Sequence, residues 1–187
     1  MSLILTGNSS TLTVDSTNGI TFPNATLQAS AGSVIQVVQA VKTNVQSTTS
    51  SSAVDVTGLS VSITPKFATS KILVMADLNT GMSTATGSIS FLWIVRNSTN
   101  IYVGDAAGSR TQVWQAIDNE YYIASQQMRY TSMYLDSPAT TSALTYKIQF
   151  NSNNGAVATY VNQSATDVNA SYVGRTASSI TVMEIAA

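Results

Sequence analysis

The chain has 187 residues, of which 8 are Lys or Arg and 9 are Asp or Glu, for a formal charge of −1. Charged residues make up 9% of it, against about 25% in ordinary soluble domains. With no Cys and no His, a Ser-His-Asp or Cys-His centre, a Cys/His zinc site and disulfides are all excluded. The near-neutral charge argues against a nucleic-acid binder, which would carry a basic stripe. No apolar run approaches the roughly 20 residues of a membrane span. Residues Met1 to Asn8 lack the charged start and apolar core of a signal peptide. Polarity comes instead from 52 Ser and Thr and 23 Asn and Gln. With 44% hydrophobic residues the chain can still bury a core.

Residues 1 to about 32 read as an arm of short extended pieces. Leu3 and Leu5 form one apolar cluster, Leu12 and Val14 a second, Ile20 and Phe22 a third. Asn18-Gly19 and Pro23-Asn24 mark turns between them. Pieces this short cannot bury themselves, so the arm is expected to order on a partner surface.

Ser33 to Gln46 is a long strand candidate, dense in β-branched residues. Ser47 to Ala53 reads as a surface loop. Strands then follow one another with turn signals between them: Gly58 to Thr64, Ser70 to Met82, Ser88 to Asn97 and the short Ile101 to Val103. Gly104 to Arg110 is a loop, and Gln112 to Ile117 reads as a single helical turn. Glu120 to Leu135 is a long aromatic strand. Ala143 to Asn151 alternates cleanly, with Leu144, Tyr146, Ile148 and Phe150 in phase. Asn151 to Gly155 reads as a hairpin turn into Ala156 to Val161, and Ser178 to Ile185 closes the chain.

About eight strands without helices predict an all-β, antiparallel β-sandwich, with a jelly roll as the commonest arrangement, over residues 33 to 187. Two strands break the expected alternation. Ile72-Leu73-Val74-Met75 and Phe91-Leu92-Trp93-Ile94-Val95 are apolar on both faces. Their outer faces must be covered, either by another copy of the chain or by a folded-over loop of its own. Leu73, Met75, Leu92, Trp93 and Ile94 are therefore the candidate subunit-interface or core residues.

Acidic residues are sparse. Asp118 and Glu120 are the one pair spaced to face a common point, as glycoside hydrolysis would need, but such i, i+2 charges ordinarily mark a solvated edge. Asp118-Asn119-Glu120 and Gly104-Asp105 fall short of a calcium loop. Gly104 to Gly108 lacks the Lys-Ser/Thr and helix of a phosphate loop. No catalytic residue, metal site or cofactor is expected. Five Asn-x-Ser/Thr sequons, at Asn8, Asn24, Asn97, Asn162 and Asn169, are near chance frequency in so polar a chain. Trp114, Tyr121, Tyr122, Tyr130 and Tyr134 cluster in sequence. Such residues suit a glycan or receptor face, or ordinary packing on a half-exposed sheet.

Gly19-Ile-Thr-Phe-Pro-Asn-Ala-Thr-Leu-Gln-Ala-Ser-Ala resembles the "ITFPDGTTQ" linker of fibre and other virion proteins of tailed phages, especially phages of aquatic bacteria. Gly32 to Val41, Leu59 to Lys66, Ser70 to Met75 and the ending Ser179 to Ala186 resemble the C-terminal domain of such proteins. At Asn24-Ala25 the pattern often has Asp-Gly, which implies a different turn here. The resemblance implies a homotrimer whose N-terminal segment attaches to the particle while the later domain faces outward. It brings no catalytic residues. The expected function is thus a non-enzymatic structural protein of the virion surface, assembled in the host cytoplasm: a spike, short fibre or capsid-decoration (cement) protein. Other virion proteins of capsid or tail, and a host surface glycan, are the expected partners. A carbohydrate-binding receptor module and a polysaccharide depolymerase are the rivals.

Overall fold

The computed structural model describes residues 3–7, 10–15, 19–21, 33–83, 89–118, 124–153, 155 and 157–186. Among them every regular element is a β-strand.

The first three strands, β1 (Leu3–Gly7), β2 (Ser10–Asp15) and β3 (Gly19–Thr21), pair with one another as an antiparallel meander. Its register sets apolar positions opposite each other: Leu3 against Val14, Leu5 against Leu12, Val14 against Ile20. The short pieces of the arm thus supply one another's backbone partners. Phe22 lies outside the described residues.

The remaining strands form two antiparallel sheets. The first contains β4 (Val34–Lys42), β5 (Gln46–Thr48), β7 (Lys71–Met82), β11 (Met128–Asp136), β13 (Thr159–Val161) and β14 (Ser178–Ile185). Registers show β13 continuing the line of β14 along β7, and β5 continuing β4. The sheet is therefore four strands wide, in the order β4/β5, β14/β13, β7, β11. The second sheet has β6 (Val54–Ile63), β12 (Leu144–Phe150) and β8 (Ile89–Arg96), with β9 (Thr99–Ile101) and β10 (Gln115–Asp118) sharing the free edge of β8.

The sheets pack face to face as a sandwich. β7 contributes Ile72, Val74, Ala76 and Leu78, every second residue, while β14 adds Ile180 and Val182. The second sheet answers with Val61, Ile63, Leu92, Ile94, Tyr146, Ile148 and Phe150. Among the described residues the buried members of this core begin at Val56, with Val38, Ala40 and Val54 packed against it.

Two polar devices stand at one end of the sandwich, on either side of Ile72 in one row of the first sheet. In one, Asp136 of β11 is buried and accepts two bonds from the Arg96 guanidinium, at 2.8 and 2.7 Å, and one from the Tyr146 hydroxyl at 2.7 Å. Burial, then the Asp136 bond, pushes the Tyr146 phenol far above its ordinary value. Burial works against the Arg96 charge, but the hydrogen bond and charge of Asp136, with Tyr146 and Tyr134, together raise the guanidinium's pKa. In the other, Glu184 of β14, fully buried, accepts from the Gln36 amide and from the backbone N–H groups of Lys66 and Phe67, so the β6–β7 connection is pinned to the first sheet.

Several expectations change. The long strand Ser33 to Gln46 is interrupted after Lys42, and Gln46–Thr48, assigned partly to a loop, is a strand. Asn162 explains the interruption. It sits at φ 64° with its side chain fully buried, donates to the carbonyls of Lys42 and Asn44 and accepts from Ser178 Oγ at 2.6 Å. It thereby closes the gap from which segment 163–177 leaves the sheet. As a sequon it is inaccessible. The same segment crosses β7 so closely that a Cβ on Gly81 would lie 2.4 Å from the Gln163 carbonyl oxygen. β6 begins at Val54 rather than Gly58. Gly58, at φ 89°, sits inside the strand where its register with β12 slips. The aromatic strand begins at Met128, not Glu120. The expected helical turn at Gln112 to Ile117 is instead the strand Gln115–Asp118. Asn151 to Gly155 makes no hairpin: β12 pairs in the second sheet and β13 in the first, so this connection crosses the sandwich.

Candidate interaction surfaces

The two outer faces differ in what covers them. On the second sheet, Phe91, Trp93 and Val95 point away from the core. Trp93 and Val95 are nevertheless buried, at 6% and 3% exposure. Phe91 packs edge-on against Trp93, with ring centroids 5.9 Å apart. The Trp93 indole N–H donates to the Gln112 carbonyl at 3.0 Å, and Trp114 N–H donates to the Leu92 carbonyl. The chain's own strand-to-strand connection thus folds over this face. Of the two covers expected for β8, a loop of the chain itself is the one present. Leu92 and Ile94 are fully buried core.

The first sheet has no such cover among the described residues. Its register lines up Val37, Met183, Leu73 and Leu135 as one row across all four strands. The next row is Gln39, Thr181, Met75 and Met133. Val37, Leu135 and Met133 are 54%, 52% and 69% exposed, and Leu73, Met75 and Met183 are half-buried. Charge is confined to the borders. Arg129 pairs with Asp77 on one side, and Lys71 donates to Ser137 Oγ on the other. An apolar centre with a polar rim is the anatomy of a protein–protein contact.

The aromatic residues meet elsewhere. Tyr130 and Tyr134 lie on the inner side of β11 and pack partly against the core, as does Trp114 just before β10. Tyr134 stacks on Tyr102 with centroids 5.1 Å apart. Tyr102 was not among the expected residues. Nothing in Asn100-Ile-Tyr-Val distinguishes it, and only its backbone at φ 54° sets it apart. Tyr121 and Tyr122 lie outside the described residues, as does Glu120. Asp118 is exposed on β10, and Asp105 is exposed on the β9–β10 connection. Among the described residues, no three acidic side chains converge to hold a metal ion. Asp55 is paired with Lys147 and Asp167 with Arg175.

No family model matches the sequence, and no curated protein matches it. Among solved structures, the D431N mutant VP2 protein of infectious bursal disease virus, from derived T=1 particles, is similar with a TM-score of 0.41 and 12% identity. The match covers 98% of this chain and 47% of that one. The structure of the Gx strain of the same virus gives a TM-score of 0.38 and 11% identity over 98% of this chain and 46% of that one. The chain spans about half the length of these two proteins.

Proposed function

We propose that the chain is a non-enzymatic structural protein of a virion surface, a homotrimer built from jelly-roll domains and attached through its N-terminal arm. The observation that carries this is the apolar band Val37–Met183–Leu73–Leu135, uncovered among the described residues and bordered by charge, which a second copy of the chain can bury. The strand orders support the jelly roll. Consecutive strands β6, β7, β8 alternate between sheets, and so do β11, β12 and β13/β14, as two interleaved Greek keys require. The sequence resemblance at Gly19 to Ala31 supplies the virion and the trimer. In the arm, β2 is paired on both sides, while among the described residues β1 and β3 each keep one edge for strand addition to a particle protein. Three arms per trimer bind multivalently, so weak single contacts hold firmly.

The described sandwich has its own core, from Val38 and Ala40 of β4 onward, so deleting residues 1–32 should leave a folded domain. The deleted form should keep its self-association and no longer sediment with virus particles. Continued decoration of particles would place attachment on the sandwich. Absence of the full chain from purified particles, by labelled-antibody microscopy, would remove the proposal.

A further inference from the structure

We propose that the open edge of the sandwich between β9/β10 and β11 holds a binding cleft for a neutral pyranose. The cleft measures about 400 Å³ and is lined by Tyr102, Val103, Gly104, Trp114, Gln115 and Thr131, among others. That is within the roughly 300–1,000 Å³ usual for small-molecule sites.

Three features define the ligand. First, two aromatic side chains line one space. Tyr102 is 46% exposed and fixed from behind by its stack on Tyr134, and Trp114 is half-exposed. A rigid, wet aromatic surface matches the apolar C–H face of a pyranose, because ring faces are electron-rich and such C–H groups weakly positive. Second, among the described residues the Tyr102 hydroxyl and the Trp114 indole N–H have no hydrogen-bond partner, so both are available to sugar hydroxyls. Third, none of the described residues that line the cleft is charged. An anionic sugar would lose hydration there without gaining a counter-charge, so a neutral one is selected.

The backbone adds an independent sign. Tyr102 adopts φ 54°, a region that bulky side chains rarely enter. Strain of this kind persists where the surroundings over-determine it, and it gathers at binding sites. Here it turns the ring out of the strand line and onto Tyr134.

The test uses the full chain with maltose, lactose and cellobiose as neutral probes and sialyllactose as the acidic control. Saturation-transfer NMR should show contact with the neutral sugars, strongest at ring C–H protons, and tryptophan fluorescence should titrate in the millimolar range. Tyr102→Gly should weaken binding about tenfold or more, the weight of one lost ring contact. Because glycine suits φ 54° better than tyrosine, its melting temperature should not fall, which separates lost binding from lost fold. Trp114→Ala should abolish the fluorescence change. Absence of saturable binding to every neutral probe at tens of millimolar would overturn the proposal. So would wild-type affinity in Tyr102→Gly, or a preference for the acidic sugar.

Discussion

Replacing Leu135 by Asp tests the outer face of the first sheet most directly. Leu135 lies on β11, next to Leu73 in the apolar row, and is 52% exposed in the single chain. Burying a whole leucine side chain is worth about 1.5–3 kcal/mol, so its exposed half leaves about 0.8–1.5 kcal/mol for a partner copy to collect. Met133 and Val37, at 69% and 54% exposure, offer similar amounts, so the three together hold about 3–5 kcal/mol per protomer. In an isolated chain Leu135→Asp changes a half-wet position on an edge strand and should cost no more than about 1 kcal/mol. Under a partner it removes the apolar contribution and strands a desolvated carboxylate, which adds several kcal/mol. Association should weaken by at least about 4 kcal/mol per contact, roughly a thousandfold. Light scattering across the micromolar range should give about three times the 19.7 kDa chain mass for the wild type and a single chain mass for the variant. The variant monomer should still melt cooperatively. Ser60→Asp, an exposed position on the second sheet, is the control and should keep the trimer mass. A wild-type monomer at these concentrations, or a trimeric Leu135→Asp, would refute the reasoning.

Three further outcomes follow from the fold. Trp93→Ala should destabilise by about 3–5 kcal/mol in chemical denaturation, because it empties a covered site and leaves the Gln112 carbonyl without its donor; a loss under about 1 kcal/mol would show that 111–112 does not seal this face. Asn162→Ala should cost about 3–5 kcal/mol, since it strands two carbonyls and Ser178 Oγ and forces alanine into φ 64°, while Asn162→Gly should recover about 1 kcal/mol of that by relieving the backbone alone. Melting temperature should stay nearly level from about pH 5.5 to 8, because no side chain ordinarily titrates there. Below that range it should fall: burial raises the Glu184 pKa, but bonds from Gln36, Lys66 N–H and Phe67 N–H outweigh it and hold it under 4.5, so its contribution is complete above 4.5 and is lost as pH drops through the folded-state value. Glu184→Gln should flatten that acid limb, and a limb unchanged in the variant would assign it to other carboxylates.

Some of this was readable in the sequence and some was not, for identifiable reasons. Leu144, Tyr146, Ile148 and Phe150 alternate with polar residues, so β12 and its buried face follow from period two alone. β7 and β8 were likewise legible as strands apolar on both sides. What covers the second side is a tertiary fact. Among the described residues, the same local pattern is sealed by the chain's own 111–112 segment on β8 and left open on β7. In β11 the aromatic cluster was visible but its direction was not. Tyr130 and Tyr134 alternate against Met133 and Leu135, and both faces are apolar enough to be the buried one. Asn151-Ser-Asn-Asn-Gly announces a chain reversal, yet turn residues do not say whether the chain returns to the same sheet. β10 has four residues, too few for periodicity to separate strand from helical turn. Asn162 was read only as part of a sequon, because its role depends on a backbone angle and on carbonyls about 120 residues away.

Strand β11 links the two surfaces. It is an edge strand, bonded to β7 on one side only among the described residues. Its outward residues Arg129, Thr131, Met133 and Leu135 face solvent, while Tyr134 on the other side carries Tyr102. An edge with exposed Met133 and Leu135 is the kind of surface along which chains pair indiscriminately unless something blocks it. Two features limit this here. The Arg129–Asp77 pair sets charge beside the apolar band, which penalises contacts that slide past it. Ring closure of a trimer would then satisfy every copy's band at once and leave none open for a fourth chain. The proposed self-association uses Met133 and Leu135 on the outward side of this strand, while the proposed cleft meets the strand's edge at Thr131 of that same side and rests, through Tyr102, on Tyr134 of the other. Because neighbouring residues of a strand point to opposite faces, a one-residue slip of β11 would turn Met133 and Leu135 inward and Tyr134 outward, and so disrupt both. The buried Asp136 contact with Arg96 and Tyr146 at the end of β11 holds that register, so this charge pair would set the position of both proposed surfaces without belonging to either.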